Sequence, residues 1–185
     1  MAAWQWVMGV NLFGVVHGIR AFLPILISQG EGHVVNTASI AGLMPGAGAS
    51  YDASKHAVVA LTEDLYRTMV QMELPIGVSV LCPGWVRTRI IDAERNWPAD
   101  LGAVPPPGLG ADVDLTHRRR PVDAGHSPEE LAELVVNAVR KDQFWVLPHA
   151  EFVDMAIHRW QDIAKGVNPH DPLEMSGLPR ATTEG

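Results

Sequence analysis

Residues 36–55 read NTASIAGLMPGAGASYDASK, and the fold turns on how this stretch is parsed. The residues just before and into it, His33 to Thr37, form an apolar, β-branched run of the kind that makes a short buried strand. From Ala41 to Ser50 the chain carries Gly42, Pro45, Gly46 and Gly48, which forbid a stable element and leave a loop. Beyond it, residues 50–73 read as a helix, with Ser50 as a cap, Glu63 and Asp64 on its outer face and Pro75 just past its end. Strand, glycine-bearing loop and helix in that order indicate a unit of an α/β fold. Three side chains in the unit can do chemistry together. Tyr51 and Lys55 are four residues apart, so a phenol and an ammonium share one helix face. Ser39 stands at the end of the strand, twelve residues before Tyr51. Such a set can give a proton to, or take one from, an oxygen on a bound molecule. Taken singly, Ser39 is a strand-end cap and Lys55 a solvated helix residue; only the joint spacing raises them above that.

Working outward, residues 4–28 read as one long helix, in which Gly14 and Gly18 would let another backbone approach. No charged residue occurs between Met1 and Ile19, and the apolar character continues past Arg20 to Ile27, a length that could cross a bilayer. Gln5, Asn11, His17, Arg20 and Pro24 count against a membrane span, and a helix apolar on most sides can also be buried in a sheet-packed core or a subunit interface. Ile76 to Leu81 is a second strand-like run, ended by Pro83-Gly84. Residues 89–126 carry five prolines (98, 105, 106, 107 and 121) and several glycines, and read as a long irregular loop with a short helix near Asp92. Ser127-Pro128-Glu129-Glu130 has the form of a helix start, with Ser127 as cap and Pro128 at the first position. That helix runs to about Lys141. A third strand over Phe144–Leu147 and a helix over 151–165 follow, and the tail 168–185 reads as flexible. Strands alternating with helices imply a parallel sheet.

Composition excludes several function classes. The net charge of −7 argues against nucleic-acid binding, and the run Arg118 to Arg120 reads as a solvated loop. Cys82 is the single cysteine, so no internal disulfide forms. His117 with His126, or His149 with Glu151, are the nearest approach to metal-ligand pairs, and neither has zinc spacing; no metal is expected.

With those residues in view, the chain resembles the short-chain dehydrogenase/reductase family. The resemblance rests on VNLFGVVHGIRAFLP, HVVNTASIAG, YDASKHAV and LCPGWVRT, in order between Trp4 and Thr88, and on SPEELAELVVNAVR and FWVLPH further along. It implies a partial Rossmann-like, doubly wound parallel sheet with about three strands and flanking helices, occupying residues 1–167, with 89–126 as the substrate loop. It implies an oxidoreductase that moves a hydride between NAD or NADP and an alcohol or carbonyl carbon. Tyr51 is then the acid–base. A tyrosine ordinarily has a pKa of about 10, and the positive charge of Lys55 would lower it. Lys55 would also hold the ribose hydroxyls, Ser39 the substrate oxygen, and Asn11 a water that passes protons to Lys55. Pro83, Gly84, Val86 and Thr88 match the family's PGxVxT turn, where the backbone of Val86 and the hydroxyl of Thr88 meet the nicotinamide carboxamide. Trp85 shapes the pocket or packs against the loop, and Met44, Gly46 and Ala47 line the approach to Tyr51. Ile90, Ile91, Trp97, Leu101 and Val104 point to a hydrophobic small-molecule substrate. Family members pair through the helices corresponding to 4–28 and 50–73, so a homo-oligomer is expected. The expected location is the cytoplasm, without membrane attachment.

The resemblance also sets expectations of absence. The family's glycine-rich phosphate turn does not occur in the sequence, and by the size of a βαβ unit roughly 80 to 90 residues of the pattern are lacking. Two other readings follow: a non-catalytic remnant acting as an association module, and a protein anchored by helix 4–28. An uncovered strand edge and apolar faces drive association. The chain alone is therefore expected to be poorly soluble and to bind NAD(P) very weakly; sharp monomeric elution with cooperative melting, or micromolar affinity by calorimetry, would contradict this.

Overall fold

The computed structural model describes residues 1–104 and 116–169, with the side chains of 116–118 outside the description. The chain begins with α1 (Ala2–Met8), a π-helical turn (Gly9–Phe13) and α2 (Gly14–Gln29). Then come β1 (Gly32–Thr37), a 3-10 turn (Ile40–Gly42), α3 (Ala49–Gln71) and β2 (Ile76–Leu81). Two 3-10 turns, Ile90–Asn96 and Ala99–Leu101, precede α4 (Thr116–Asp123), α5 (Pro128–Arg140), β3 (Trp145–Val146) and α6 (Ala150–Lys165). The three strands form one parallel sheet in the order β1-β2-β3.

Helices cover both faces of β2, as a doubly wound sheet requires. Ile76, Val78 and Val80 alternate onto one face, where Leu65 and Met69 of α3 meet Ile19, Leu23 and Leu26 of α2. Leu81 turns to the other face and joins Val146, Leu131 and Ala138. Val58, Val78 and Val80 have no exposed surface, and each contributes about 1.5–2 kcal/mol by leaving water. Asn36 is the buried polar member of β1. Its amide donates to Thr62 Oγ1 (3.0 Å), whose hydroxyl donates to the Val58 carbonyl (2.6 Å), so β1 is tied to the middle of α3.

Several sequence expectations need correction. The helix read over 4–28 runs unbroken from Ala2 to Gln29, with one local departure, a π turn at 9–13 that inserts a residue into its ladder and carries Asn11. β1 is mostly half-buried rather than buried, because it has one strand neighbour among the described residues. Ser50 does not cap α3. Gly48 is the cap position, and the Asp52 side chain reaches back over the turn instead. The third strand shrinks to two residues. The described parts of the loop after 89, residues 89–104 and 116–126, carry 3-10 turns and a helix held by tertiary contacts. Trp97 packs edge-on against Trp6 (5.1 Å between rings), Val122 of α4 is buried, and Asp92 joins Arg119 (2.8 Å) to Arg89 (3.5 Å). Those guanidiniums, Arg119 first, hold the Asp92 carboxyl below its ordinary range. The α5 start is as read: Ser127 and Glu130 form a reciprocal capping box behind Pro128. Most of the tail, from His170 on, and loop residues 105–115 lie outside the described residues.

The 3-10 turn after β1 sits hard against α3. A Cβ at Gly42 would stand 2.7 Å from the Lys55 carbonyl oxygen and 2.8 Å from Val59 Cγ2. Gly42→Ala should therefore push the turn off α3 and destabilise the fold by about 1–3 kcal/mol, measured as a lowered urea midpoint. An unchanged midpoint would show that the turn yields freely.

Candidate active site

Two parallel strands end side by side, and the chain continues their pairing past the strand ends. Ala38 N–H donates to the Leu81 carbonyl (2.8 Å) and Ile40 N–H to the Pro83 carbonyl (2.9 Å). Ser39 is thereby held beside Pro83. Its hydroxyl lies 3.4 Å from the Pro83 carbonyl, to which it donates, and accepts from Ala41 N–H (3.2 Å). Ser39 thus caps the 3-10 turn and stands at the strand tips at once, 7% exposed.

The first turn of α3 brings in the other two groups. Gly46 and Gly48 adopt φ values of 150° and 125°, which side chains with a Cβ rarely take. The curl they make lets three backbone N–H groups converge on the Asp52 carboxylate: Gly46 (2.9 Å), Ala47 (3.0 Å) and Gly48 (3.3 Å). Tyr51 follows directly, half-buried. One turn on, Lys55 Nζ lies 5.7 Å from the centroid of the Tyr51 ring and donates to the Thr37 carbonyl (3.0 Å), the last residue of β1. Loss of water around the ammonium lowers the Lys55 pKa, with the nearby Cys82 sulfur acting the other way. Cys82 is buried, and that burial pushes its thiol up to about 12, against the Ser39 backbone and Lys55. It is a packing residue rather than a nucleophile.

Asn11 reaches the same helix from the π turn. Its Nδ2 donates to Ser54 Oγ (3.1 Å), and Ser54 in turn donates to the Tyr51 carbonyl (2.7 Å). The amide is thus engaged with the residue beside Lys55. Pro83 and Gly84 lead into a turn in which Val86 bridges to His126: Arg87 N–H donates to the His126 carbonyl (2.9 Å) and His126 N–H to the Trp85 carbonyl (3.1 Å). Thr88, two residues past Val86, is exposed.

Asp52 is the residue that sequence reasoning passed over. An acid in the first turn of a helix, after a Gly-Ala-Gly run, was the available signal. His149 is the second, and its contacts with the 83–86 turn are taken up below. Of the histidines considered as ligands, His126 and His149 meet ring to ring at 4.7 Å, while the His117 side chain lies outside the described residues. No group of three or more His, Cys, Asp or Glu that could hold a metal occurs among the described residues.

Residues 1–99 match the family model for short chain dehydrogenases. A CLA biosynthesis dehydrogenase/reductase of Lactiplantibacillus plantarum is 30% identical over 80% of this chain and 54% of its own length. A C alpha-dehydrogenase of a Sphingobium species is 33% identical over 89% of this chain and 53% of its own. Among solved structures, a short chain dehydrogenase/reductase from Burkholderia phymatum in complex with NAD is 40% identical. It superposes with a TM-score of 0.86 over 92% of this chain and 62% of its own. The chain belongs to the short chain dehydrogenase family. It spans about half the length of the curated relatives it matches.

Asp52→Ala should release residues 46–48, costing about 2 kcal/mol for the lost charge-assisted bonds. Amide exchange should quicken at Gly46 and Ala47, while β2 keeps its protection; equal protection in the variant would remove Asp52 from the site.

Proposed function

We propose that the protein is an NAD- or NADP-dependent oxidoreductase acting on small alcohols or the matching carbonyl compounds. The observation that carries this reading is the position of Lys55, tied to the tip of β1 through the Thr37 carbonyl while lying against the Tyr51 ring. The described residues suit the nicotinamide and ribose end of such a cofactor. Tyr51, Lys55, Ser39 and the turn with Val86 and Thr88 are brought to the carboxyl ends of parallel strands, where open α/β sheets bind their ligands. The relative from Burkholderia phymatum that carries NAD supports the nicotinamide class.

When bound, the nicotinamide supplies the hydride acceptor or donor, and the protein's own groups handle position and protons. Tyr51 passes a proton between its hydroxyl and the substrate oxygen. Lys55, while protonated, favours the ionised phenol by its charge. Ser39 would turn its hydroxyl from the Pro83 carbonyl to the substrate oxygen, in a hydrogen bond that strengthens as negative charge grows there. Lys55 would also hold the ribose hydroxyls, Asn11 would support proton delivery toward Lys55, and Pro83, Gly84, Val86 and Thr88 would hold the carboxamide. A hydrophobic substrate is favoured by the apolar side chains after the turn, of which Ile90 and Val104 are exposed. We also assign the protein to the cytoplasm, which the lone, buried Cys82 suits.

A second reading concerns assembly. α1–α2 is long and apolar enough to cross a membrane by length and composition, with mean hydropathy 1.7 in its most apolar window. Yet its inner side packs onto α3, and Val10, Phe13, Phe22 and Ile25 stand exposed on the rest. Gly18 has nothing within 4 Å of its Cβ position. These features favour a homo-oligomer through α1–α2 and α3 over membrane insertion. Light scattering should find an oligomer that Phe22→Glu weakens, and a protein that stays with membranes after a salt wash would exclude this reading.

The acid–base assignment is tested in the full protein with NAD or NADP and a panel of hydrophobic alcohols. Tyr51→Phe should lower turnover about 10²- to 10⁴-fold and leave cofactor affinity nearly unchanged. Near-normal turnover in the variant would remove Tyr51 from the chemistry.

A further inference from the structure

His149, three residues past β3 and the N-cap of α6, is 5% exposed and uses both ring nitrogens on the 83–86 turn. Its Nδ1 is 3.1 Å from Gly84 N, and its Nε2 is 3.1 Å from the Trp85 carbonyl oxygen. The partners fix the tautomer. A backbone N–H can only donate, so Nδ1 accepts; a carbonyl can only accept, so Nε2 carries the proton. One neutral ring therefore spans two successive peptide groups of the turn. The space is closed around it: a Cβ at Gly84 would stand 2.4 Å from Phe152 and 3.1 Å from His149 Cδ2. The main chain of His126 holds the same turn: its N–H donates to the Trp85 carbonyl that His149 Nε2 also meets, and its carbonyl accepts from Arg87 N–H.

We propose that His149 is a positioning residue for the nicotinamide-facing turn, fixing the backbone of Gly84 and Trp85 and through it the aim of Val86 and Thr88. The proposal rests on the oxidoreductase reading above for what the turn faces. The clamp works in one protonation state. A second proton, on Nδ1, would confront the Gly84 N–H with another donor and break that bond. Burial opposes that proton and lowers the His149 pKa, the neighbouring His126 adds to this, and the Trp85 carbonyl and Glu151 act against it. The charged or titratable groups around the ring are His126, packed edge-on at 4.7 Å, Glu130 behind it at 3.3 Å from His126 Nδ1, and Glu151 on the first turn of α6. Because the folded pKa is lowered, the clamp is intact above the ordinary histidine range and fails as pH falls through the lowered value.

Three measurements on the full protein test this. Nitrogen-15 spectra of the imidazoles should show His149 with its proton on Nε2 and a pKa below that of a free histidine; a proton on Nδ1, or an ordinary or raised pKa, overturns the clamp without any substitution. Amide exchange at Gly84, whose N–H loses its bond to the ring, should speed up about tenfold in His149→Phe. In His149→Gln, whose amide oxygen and nitrogen offer an acceptor and a donor at similar spacing, protection should return and lose its dependence on pH below 6.5. Wild-type protection in the Phe variant, or no recovery in the Gln variant, overturns the proposal. Oxidised NAD is then titrated while the amides of 84–88 are followed. Shifts that weaken in His149→Phe and recover in His149→Gln support the positioning role. The exchange pattern with no shift induced in the wild type by NAD, nor by NADP titrated in the same way, overturns the oxidoreductase reading and, with it, positioning for a nicotinamide. NAD-induced shifts identical in all three proteins overturn the positioning role alone.

Discussion

The parallel register of β1 on β2 is the constraint from which the site follows. Gly32 opposes Ile76 and Thr37 opposes Leu81, and the pairing continues through Ala38 and Ile40 to Leu81 and Pro83. A slip of one residue would invert every side chain on β1. Asn36 would leave Thr62, and Ser39 would no longer reach the Pro83 carbonyl. The hydrogen bond from Asn36 to the centre of α3 therefore does more than satisfy a buried amide. It locks the strand to the helix that carries Tyr51 and Lys55.

The second support comes from the helix side. Lys55 reaches from α3 to the last carbonyl of β1, and Gly42 lets the intervening turn lie on the backbone at Lys55. Asp52 gathers the loop between them by three backbone bonds. Strand tip, turn, loop and helix start thus form one closed circuit of hydrogen bonds. Such closure holds Lys55 at once to the strand tip and against the Tyr51 ring, and on the oxidoreductase reading it preorganises the acid–base groups.

The turn after β2 is braced from a distant part of the chain. β3 and α6 contribute the His149 ring, α5 contributes Glu130 beneath His126, and Arg159 of α6 donates to the Leu43 carbonyl on the loop before Tyr51. The carboxyl-terminal third thus props both the Pro83–Val86 turn and the Tyr51 loop. This gives a physical reason for segments with no acid–base chemistry of their own to accompany the site.

The sequence by itself determined the α/β class, the order of the three strands, the start of α5 and the placing of Tyr51 and Lys55 on one helix face. These follow from local rules: alternation of apolar residues, glycine and proline as breakers, a serine–glutamate capping box, and the pitch that puts residues four apart on one face. Tertiary structure alone decided the rest. The π turn at Asn11 adds a residue inside a helix that local propensity would continue as regular α. Asp52 displaces Ser50 because its carboxylate can reach three amides, a geometry set by the Gly46–Gly48 curl. Helix α4 forms despite Pro121 because Val122 is buried and Arg119 meets Asp92. His149 clamps Gly84, 65 residues away. No periodicity encodes such a contact, since its distance along the chain is set by how β3 lies beside β2 and by nothing in the neighbouring residues.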